Sequence, residues 1–163
     1  MEESHNVYDQ LIADYTAQIE QNPTAESYNK RGVCHYNKGD YDTAIADFTK
    51  AIEVQGDFAN AYDNRGACYH KQELYEQAIA DCNKALQLNP NYANAYYNLA
   101  CNYCMQKDKA KALECLENAL ENGFKDFDHL ELDDDLNFIR EDQEFKNLMD
   151  SYEKEPLESI GMF

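Results

Sequence analysis

Small and apolar residues recur along the chain at intervals of three and four, the spacing of one face of an α-helix. One such stripe contains Tyr28 and Gly32, and the next contains Phe48 and Ile52. The polar turn Lys38-Gly39-Asp40 separates the two stripes. The pattern therefore predicts pairs of helices joined by short turns, with small residues where the paired helices approach each other.

The same pattern returns with a period of 34 residues. Segments of similar sequence begin at Asn29, Asp63 and Tyr97. The residues in register are Tyr28, Tyr62 and Tyr96; Gly32, Gly66 and Ala100; Ala44, Ala78 and Ala112; and Ala51, Ala85 and Ala119. Agreement at many independent positions predicts three stacked copies of one helix hairpin.

This pattern resembles the tetratricopeptide repeat, a 34-residue helix hairpin with an aromatic residue, a glycine and a tyrosine in its first helix and spaced alanines in its second. The resemblance extends from about residue 25 to residue 123, with tyrosine in place of the family's tryptophan and a unit-closing proline only at Pro90. It implies an all-α, right-handed superhelical array of antiparallel hairpins whose first helices line a concave face. Such arrays commonly bind other proteins on that face.

The flanking segments are predicted to cap the array. The sequence from Tyr8 matches that from Tyr41, so we expect a lone second helix at the front. The segment from Gly123 resembles the closing segment of many such arrays in bacterial proteins. The predicted divisions are a capping helix at 1–24, repeats at 25–58, 59–92 and 93–125, a helical cap at 126–154 and a mobile tail at 155–163.

A charge pair recurs within two of the hairpins. Arg31 and Asp47 lie equally far from the centre of their turn, and Arg65 and Asp81 repeat the arrangement one unit later. The third unit replaces both members together, by leucine and cysteine. Because the charges are kept or lost as a pair, we predict a structural salt bridge inside each of the first two hairpins.

The composition restricts the classes of function. The chain has 14 basic and 32 acidic side chains and a formal net charge of −18, which argues against binding to nucleic acid or to anionic membranes. No apolar run is as long as a membrane span, and the first fifteen residues carry four acids and no base, unlike a secretion signal. We therefore expect a cytoplasmic protein whose six cysteines stay reduced.

The negative charge is unevenly distributed along the sequence. Residues 30–111 contain ten bases and ten acids. Residues 1–29 contain six acids and no base, and residues 112–163 contain sixteen acids and four bases. The excess belongs to the two ends of the sequence, so the concave face is expected to be neutral and suited to an uncharged or mixed-charge partner segment.

The candidate binding residues lie on the first helices, away from the tyrosine–glycine stripe. Asparagine amides both donate and accept hydrogen bonds, so a column of them can pair with the backbone of an extended peptide, and Tyr and His add flat contact surfaces. The predicted groove residues are Asn29, Lys30, Tyr36, Asn60, Asp63, Asn64, His70, Asn94, Tyr97, Asn98 and Cys101. We expect a non-catalytic adaptor that holds an extended or disordered segment of another protein and needs no cofactor.

Relatives that bind the acidic C-termini of heat-shock chaperones use a clamp of lysine, asparagine and arginine side chains. The corresponding positions in this chain are Asn29, Val33, Asn64, Asn94 and Asn98, of which only Asn64 matches. The three missing cations argue against this clamp.

Other functions stay open on the sequence alone. Size, charge and repeat number also resemble small acidic secretion chaperones of bacteria, and the incomplete front unit leaves room for a self-assembling scaffold or homo-oligomer. An enzyme is not expected, because Cys101 and Cys104 lie in mid-helix, where a redox thiolate is not stabilised. The acidic run 133–135 lacks the loop of a calcium site and is expected to cap a short helix, so no metal site is predicted.

Overall fold

The computed structural model describes residues 2–153, and within them the chain forms ten α-helices, one 3-10 helix and no strand. The α-helices are α1 (Glu2–Gln21), α2 (Ala25–Asn37), α3 (Tyr41–Val54), α4 (Ala59–Lys71), α5 (Tyr75–Leu88), α6 (Ala93–Met105), α7 (Lys109–Glu121), α8 (Phe127–Leu132), α9 (Asn137–Arg140) and α10 (Gln143–Glu153), and the 3-10 helix is Asp134–Leu136. The tail expected at 155–163 lies outside the described residues.

Local sequence explains where the hairpin helices begin and turn. Thr24 caps α2 by accepting a hydrogen bond from the backbone of Ser27, and Asp40 caps α3 in the same way through Thr43. Each hairpin turn contains one residue with positive φ, which is Gly39 in the first turn (φ 79°) and Glu73 in the second (φ 61°). Glycine adopts this left-handed conformation without strain, so the first turn has the better-suited residue.

The helices pack in sequence order as a stack of hairpins. α2 packs against α3, α4 against α5, and α6 against α7, and the second helix of each pair contacts the first helix of the next. Alanines in register are fully buried where the helices meet: Ala44, Ala51, Ala78, Ala85, Ala112 and Ala119. The predicted all-α superhelical array of hairpins is confirmed.

Both ends of the array are covered by helices. α1 begins at Glu2 and packs against α2; the sequence predicts a lone second helix there, from Tyr8. At the other end Leu130, Leu136 and Ile139 are buried in one cluster with residues of α6 and α7. The run 133–135 begins the 3-10 helix, where the Asp133 side chain accepts a hydrogen bond from the Asp135 backbone.

Two arginines each bond to two neighbouring helices and so join three helices. These contacts confirm and extend the predicted salt bridges. Arg31 donates to both carboxylate oxygens of Asp47 at 2.8 and 2.7 Å, and its third nitrogen donates to Thr16 of α1 at 3.1 Å. Arg65 donates to Asp81 at 2.7 and 2.8 Å, and to a threonine of α3 at 3.1 Å. Each guanidinium therefore joins the two helices of its own hairpin to the second helix of the preceding unit.

Across residues 2–153, no helix combines the length and the apolar character that a membrane crossing requires.

Replacing Gly32 by alanine should lower the melting temperature. A Cβ at this position would lie 2.7 Å from the ring of Phe48, which is only 1% exposed and has no room to move away. We expect Gly32→Ala to cost about 1–3 kcal/mol of unfolding free energy, measured by urea denaturation. Gly56→Ala is the matched control, because the nearest atom to its Cβ is 4.0 Å away. Equal stability of the two variants would contradict the close packing.

Removing the guanidinium of Arg65 should be far more damaging than removing a surface cation. Arg65→Gln leaves the buried carboxylate of Asp81 without its partner, and we expect a loss of about 3–5 kcal/mol in urea denaturation. Lys50→Gln breaks the exposed pair with Glu53 and should leave the free energy of unfolding essentially unchanged. A small effect at Arg65 would show that the three-helix bridge does not hold the hairpins together.

Candidate functional site

The first helices of the three hairpins share one face, which we call the inner groove and define by Val33 of α2, Ala67 of α4 and Cys101 of α6. These three residues are spaced by 34 and so occupy the same position on their helices, and Ala67 and Cys101 line the pocket on this face. Val33 is 37% exposed, whereas Cys101 is buried. The inner groove is therefore open at the first hairpin and covered at the third.

The asparagines of the inner groove bond to neighbouring helices. Asn64 Nδ2 donates to Asn29 Oδ1 at 3.0 Å, and Asn98 Nδ2 donates to Asp63 Oδ1 at 2.9 Å. Asn29 and Asp63 are both buried, so these bonds lie beneath the surface of the groove. The sequence predicts a column of free amides, but the structure uses one N–H of each amide to join successive first helices.

The buried carboxyl group of Asp63 is electrostatically unusual. Burial raises its pKa to about 6, although hydrogen bonds from Asn98 and Tyr92 partly oppose that shift. Its counterpart one unit earlier is the uncharged Asn29. The first helices of the second and third hairpins, α4 and α6, are therefore joined through a group that can lose a proton near neutral pH.

An acidic part of the C-terminal cap lies on the inner groove. We call residues 126–136 the cap segment. Asp133 contacts the hydroxyl of Tyr97, and one of its oxygens lies 3.8 Å from Cys101 Sγ and 3.7 Å from His129 Nε2. The chain thus covers the third-hairpin end of its own inner groove.

A histidine connects the cap segment to the middle of the array. His70 Nδ1 lies 3.0 Å from Asn102 Oδ1, and His70 Nε2 lies 3.0 Å from Asp135 Oδ2. Lys71 Nζ lies 3.6 Å from the same Asp135 oxygen. Because both neighbours of the ring are acceptors, the cationic form of His70, which donates from both nitrogens, fits best.

The pKa of these groups agrees with that assignment. Burial lowers the pKa of His70, but its hydrogen bonds to Asp135 and Asn102 outweigh that effect, and the net shift is upward. The hydrogen bond from His70 lowers the pKa of Asp135. The pair therefore favours the charged form of both partners and holds the cap segment on α4.

The structure brings only part of the predicted site together. Tyr36, His70, Tyr97, Asn98 and Cys101 line one pocket of about 190 Å³. The other residues of that pocket were not predicted: Ala67, Lys71, His129, Asp133 and Asp135. The predicted residues outside its lining are Lys30, Asn60 and Asn94, which are exposed, Asn29 and Asp63, which are buried, and Asn64, which is half-buried.

The charge map drawn from the sequence needs correction at this pocket. The sequence places the excess of negative charge at the two ends of the chain and predicts a neutral concave face. In the structure, the carboxylates of Asp133 and Asp135 from the C-terminal end lie on that face. The run of three aspartates at 133–135 is visible in the sequence, but it lies outside the repeats, so the repeat pattern does not predict that it packs on the concave face.

The thiols show no environment that would activate them. All six cysteines are free, and burial raises the pKa of Cys68, Cys104 and Cys115 to about 12 and shifts that of Cys101 upward as well. Cys101, Asp133 and Asp135 are the group in the described range whose ligand atoms lie within 4.8 Å of one another, as a metal site requires. A soft or borderline cation would first have to deprotonate the buried Cys101 thiol.

Comparison with known proteins identifies the family. Two tetratricopeptide repeat profiles match residues 25–58 and 57–122, which together cover more than half of the chain. The chain therefore belongs to the tetratricopeptide repeat family, whose repeats generally form interaction surfaces and not catalytic sites. No curated protein sequence matches it.

Solved structures share the fold. One MamA structure aligns with a TM-score of 0.71 and 23% identity over 89% of this chain and 84% of MamA. Another MamA structure aligns with a TM-score of 0.64 and 22% identity, over 71% of this chain and 63% of that protein. YrrB, described as a TPR protein with an unusual peptide-binding site, aligns with a TM-score of 0.64 and 18% identity, over 72% and 61% of the two chains.

A fourth structure contains a bound peptide. It is the second TPR of Spaghetti (RPAP3) bound to the HSP90 peptide SRMEEVD. It is 28% identical to this chain, with a TM-score of 0.59, and the alignment covers 65% of this chain and 97% of that one.

Replacing Asp63 by asparagine should remove a pH-dependent loss of stability. The pKa of about 6 lies above the value of about 3.9 for an unfolded aspartate, so the folded protein binds this proton more tightly. Its stabilising effect is complete below about pH 4 and is lost as the pH rises through about 6. Asp63→Asn keeps the acceptor for Asn98 and reproduces the Asn29–Asn64 pair.

The measurement is urea denaturation of both proteins at pH 5 and pH 8. We expect the Asn variant to be more stable than the wild type at pH 8, by about 2–3 kcal/mol, and this difference to fall to about half at pH 5, where part of the pH-dependent loss has already occurred. A variant that is less stable than the wild type at pH 8 would contradict the assignment of Asp63 as a destabilised buried carboxylate.

Proposed function

We propose that this protein is a non-catalytic interaction module that binds an extended segment of a partner protein in the open part of its inner groove. The observation that carries the proposal is the cap segment, which lies on the same groove through side-chain contacts of Asp133 and Asp135. A face that binds a segment of its own chain through polar side chains offers polar groups that can bind a segment of another protein.

The position of the cap segment limits where the partner lies. Tyr97 and Cys101 contact Asp133, so the third hairpin is already engaged. The remaining open surface is formed by α2 and α4, with Lys30, Val33 and the rim of the 190 Å³ pocket. The partner segment is therefore proposed to bind across the first two hairpins and to end against the cap segment.

The groove asparagines keep a role in this proposal. An amide has two N–H donors and a carbonyl acceptor, and the bond between Asn64 and Asn29 uses only one donor of Asn64. The half-buried Asn64 can therefore still pair with the backbone of a peptide. Its bond to α2 fixes the orientation of the amide in advance, which lowers the entropic cost of binding.

Peptide-bound relatives support the class of ligand but not its details. RPAP3 and YrrB are described with a bound peptide and a peptide-binding site, respectively. This chain lacks the cations of the chaperone-binding clamp at Asn29, Asn94 and Asn98. We therefore propose recognition along the length of a segment, without a requirement for a terminal carboxylate.

An arginine placed in the open groove should abolish binding. The probe is a peptide selected against the full chain from a library of random twelve-residue sequences, with its Kd measured by fluorescence anisotropy. Val33→Arg adds a bulky charge to the inner groove at a 37% exposed position, so the fold should tolerate it. We expect roughly a tenfold or greater loss of affinity, since a desolvated charge and a steric clash together exceed 1.4 kcal/mol.

Val54→Arg is the matched control. Val54 is 51% exposed and ends α3, which does not contribute to the inner groove. Unchanged affinity in this variant and loss in Val33→Arg would support the groove. Equal affinity of both variants, or failure to select any peptide, would overturn the proposal. Light scattering of the same samples separates it from self-assembly, because a chain that oligomerises through the groove should become monomeric in Val33→Arg.

A further inference from the structure

The opposite face of α6 carries a second, larger cavity, which we call the outer cleft. Tyr96, Leu99 and Tyr103 lie on it, about half a turn away from Tyr97 and Cys101 of the inner groove. The outer cleft measures about 670 Å³ and opens between α5 and α7. It shares no lining residue with the pocket of the inner groove.

In the first two hairpins, an arginine side chain occupies the position that corresponds to this cleft. In the second hairpin the guanidinium of Arg65 lies over two rings, 5.7 Å from the centre of Tyr62 and 5.9 Å from that of Tyr69. It also donates to the Asp81 carboxylate and to the hydroxyl of Thr49. In the first hairpin Arg31 is placed in the same way, 5.8 Å from the ring of Tyr28.

The third hairpin keeps the walls of this site and lacks the arginine. One period later, Tyr96 and Tyr103 stand for the two tyrosines, and Leu99 stands for Arg65. Leu99 is buried and forms the floor of the cleft, so the space of the guanidinium stays open above it. Cys115 occupies the position that corresponds to Asp81, and Asn83 the position that corresponds to Thr49.

Polar partners for an arginine are still present in the cleft. Asn83 is exposed and has a carbonyl acceptor where Thr49 has its hydroxyl. Glu114, next to Cys115, lines the cleft and supplies a carboxylate. A cation already approaches one wall, because Lys111 Nζ lies 5.1 Å from the centre of the Tyr103 ring while it pairs with Asp108 at 2.9 Å. That contact shows that the ring attracts a cation, and because Lys111 itself lines the cleft, an incoming guanidinium has to displace its ammonium group from the ring.

From these contacts we propose that the outer cleft binds an arginine side chain of a partner protein, with its guanidinium between Tyr96 and Tyr103. A second copy of this chain is a poor source of that arginine. The chain has three arginines, of which Arg31 and Arg65 bridge helices and Arg140 bonds to Asn137 and to the Asp133 carbonyl. The net charge of −18 attracts a basic partner.

The test uses short blocked peptides that carry one arginine, one lysine or one citrulline among glycines and serines. Citrulline has the shape of arginine without its charge. Binding to the full chain is followed by NMR chemical-shift titration. We expect the arginine peptide to bind roughly tenfold more tightly than the citrulline peptide and to shift signals of Tyr96 and Tyr103. Equal affinity for these two peptides would overturn the proposal.

A rebuilt bridge provides the decisive variant. Leu99→Arg combined with Cys115→Asp restores the Arg65–Asp81 arrangement, so the chain's own arginine should fill the outer cleft. We expect this double variant to lose arginine-peptide binding while its melting temperature stays equal or rises. Retained binding in the folded double variant would overturn the proposal. Should the double variant not fold, Tyr96→Leu serves instead, because it keeps apolar bulk and removes one aromatic wall.

The inner-groove variant Val33→Arg separates this site from the proposed function. It should bind the arginine peptide as the wild type does, because Val33 is in register with Ala67 and Cys101 of the inner groove and does not line the outer cleft. Loss of arginine-peptide binding in Val33→Arg would assign the peptide to the inner groove and overturn the outer cleft as its site.

Discussion

A guanidinium held between three helices fixes how each of the first two hairpins packs against the helix before it. Arg31 and Arg65 each satisfy a buried carboxylate of their own hairpin and a threonine of the preceding second helix. A surface ion pair could not do this, because water would compete for the charges at little cost. Small residues at Gly32 and Gly66 bring the paired helices close enough for the bridge to form, so packing and electrostatics depend on the same register.

The bridges explain the inner face as well as the outer one. With the second hairpin held at a fixed offset from the first, α4 lies close enough to α2 for Asn64 to reach Asn29. Asn98 reaches Asp63 between the second and third hairpins, where Leu99 stands in place of the arginine. The third hairpin lacks the bridge and is held by different means, since the cap segment packs Leu130, Leu136 and Ile139 against it. The third hairpin, in which Leu99 stands in place of the arginine, thus has both the outer cleft and the packing of the cap segment against it.

The sequence predicts those features that repeat. The 34-residue period predicts the hairpins, the buried alanines and the Arg–Asp pairs, because the same residue types recur at matching positions of the copies. The bonds that Arg31 donates to Thr16 and Arg65 donates to Thr49 cross between units; the sequence aligns the two threonines, but it carries no charge pattern that marks them as partners of the arginines. The contact between His70 and Asp135 spans 65 positions and has no repeated copy, so no pattern places it. The third aspartate of a charged run looks solvated in sequence and becomes half-buried only through the fold.

The proposed function depends on a division of the inner groove into an occupied third hairpin and two open ones. The most direct test is the NMR spectrum of the chain, labelled at the methyl groups of valine and alanine, with a selected peptide bound. The account predicts that the signals of Val33 and Ala67 move and that those of Ala46 and Ala80, exposed on the second helices, stay in place. Shifts confined to the second helices, with Val33 and Ala67 unchanged, would contradict it.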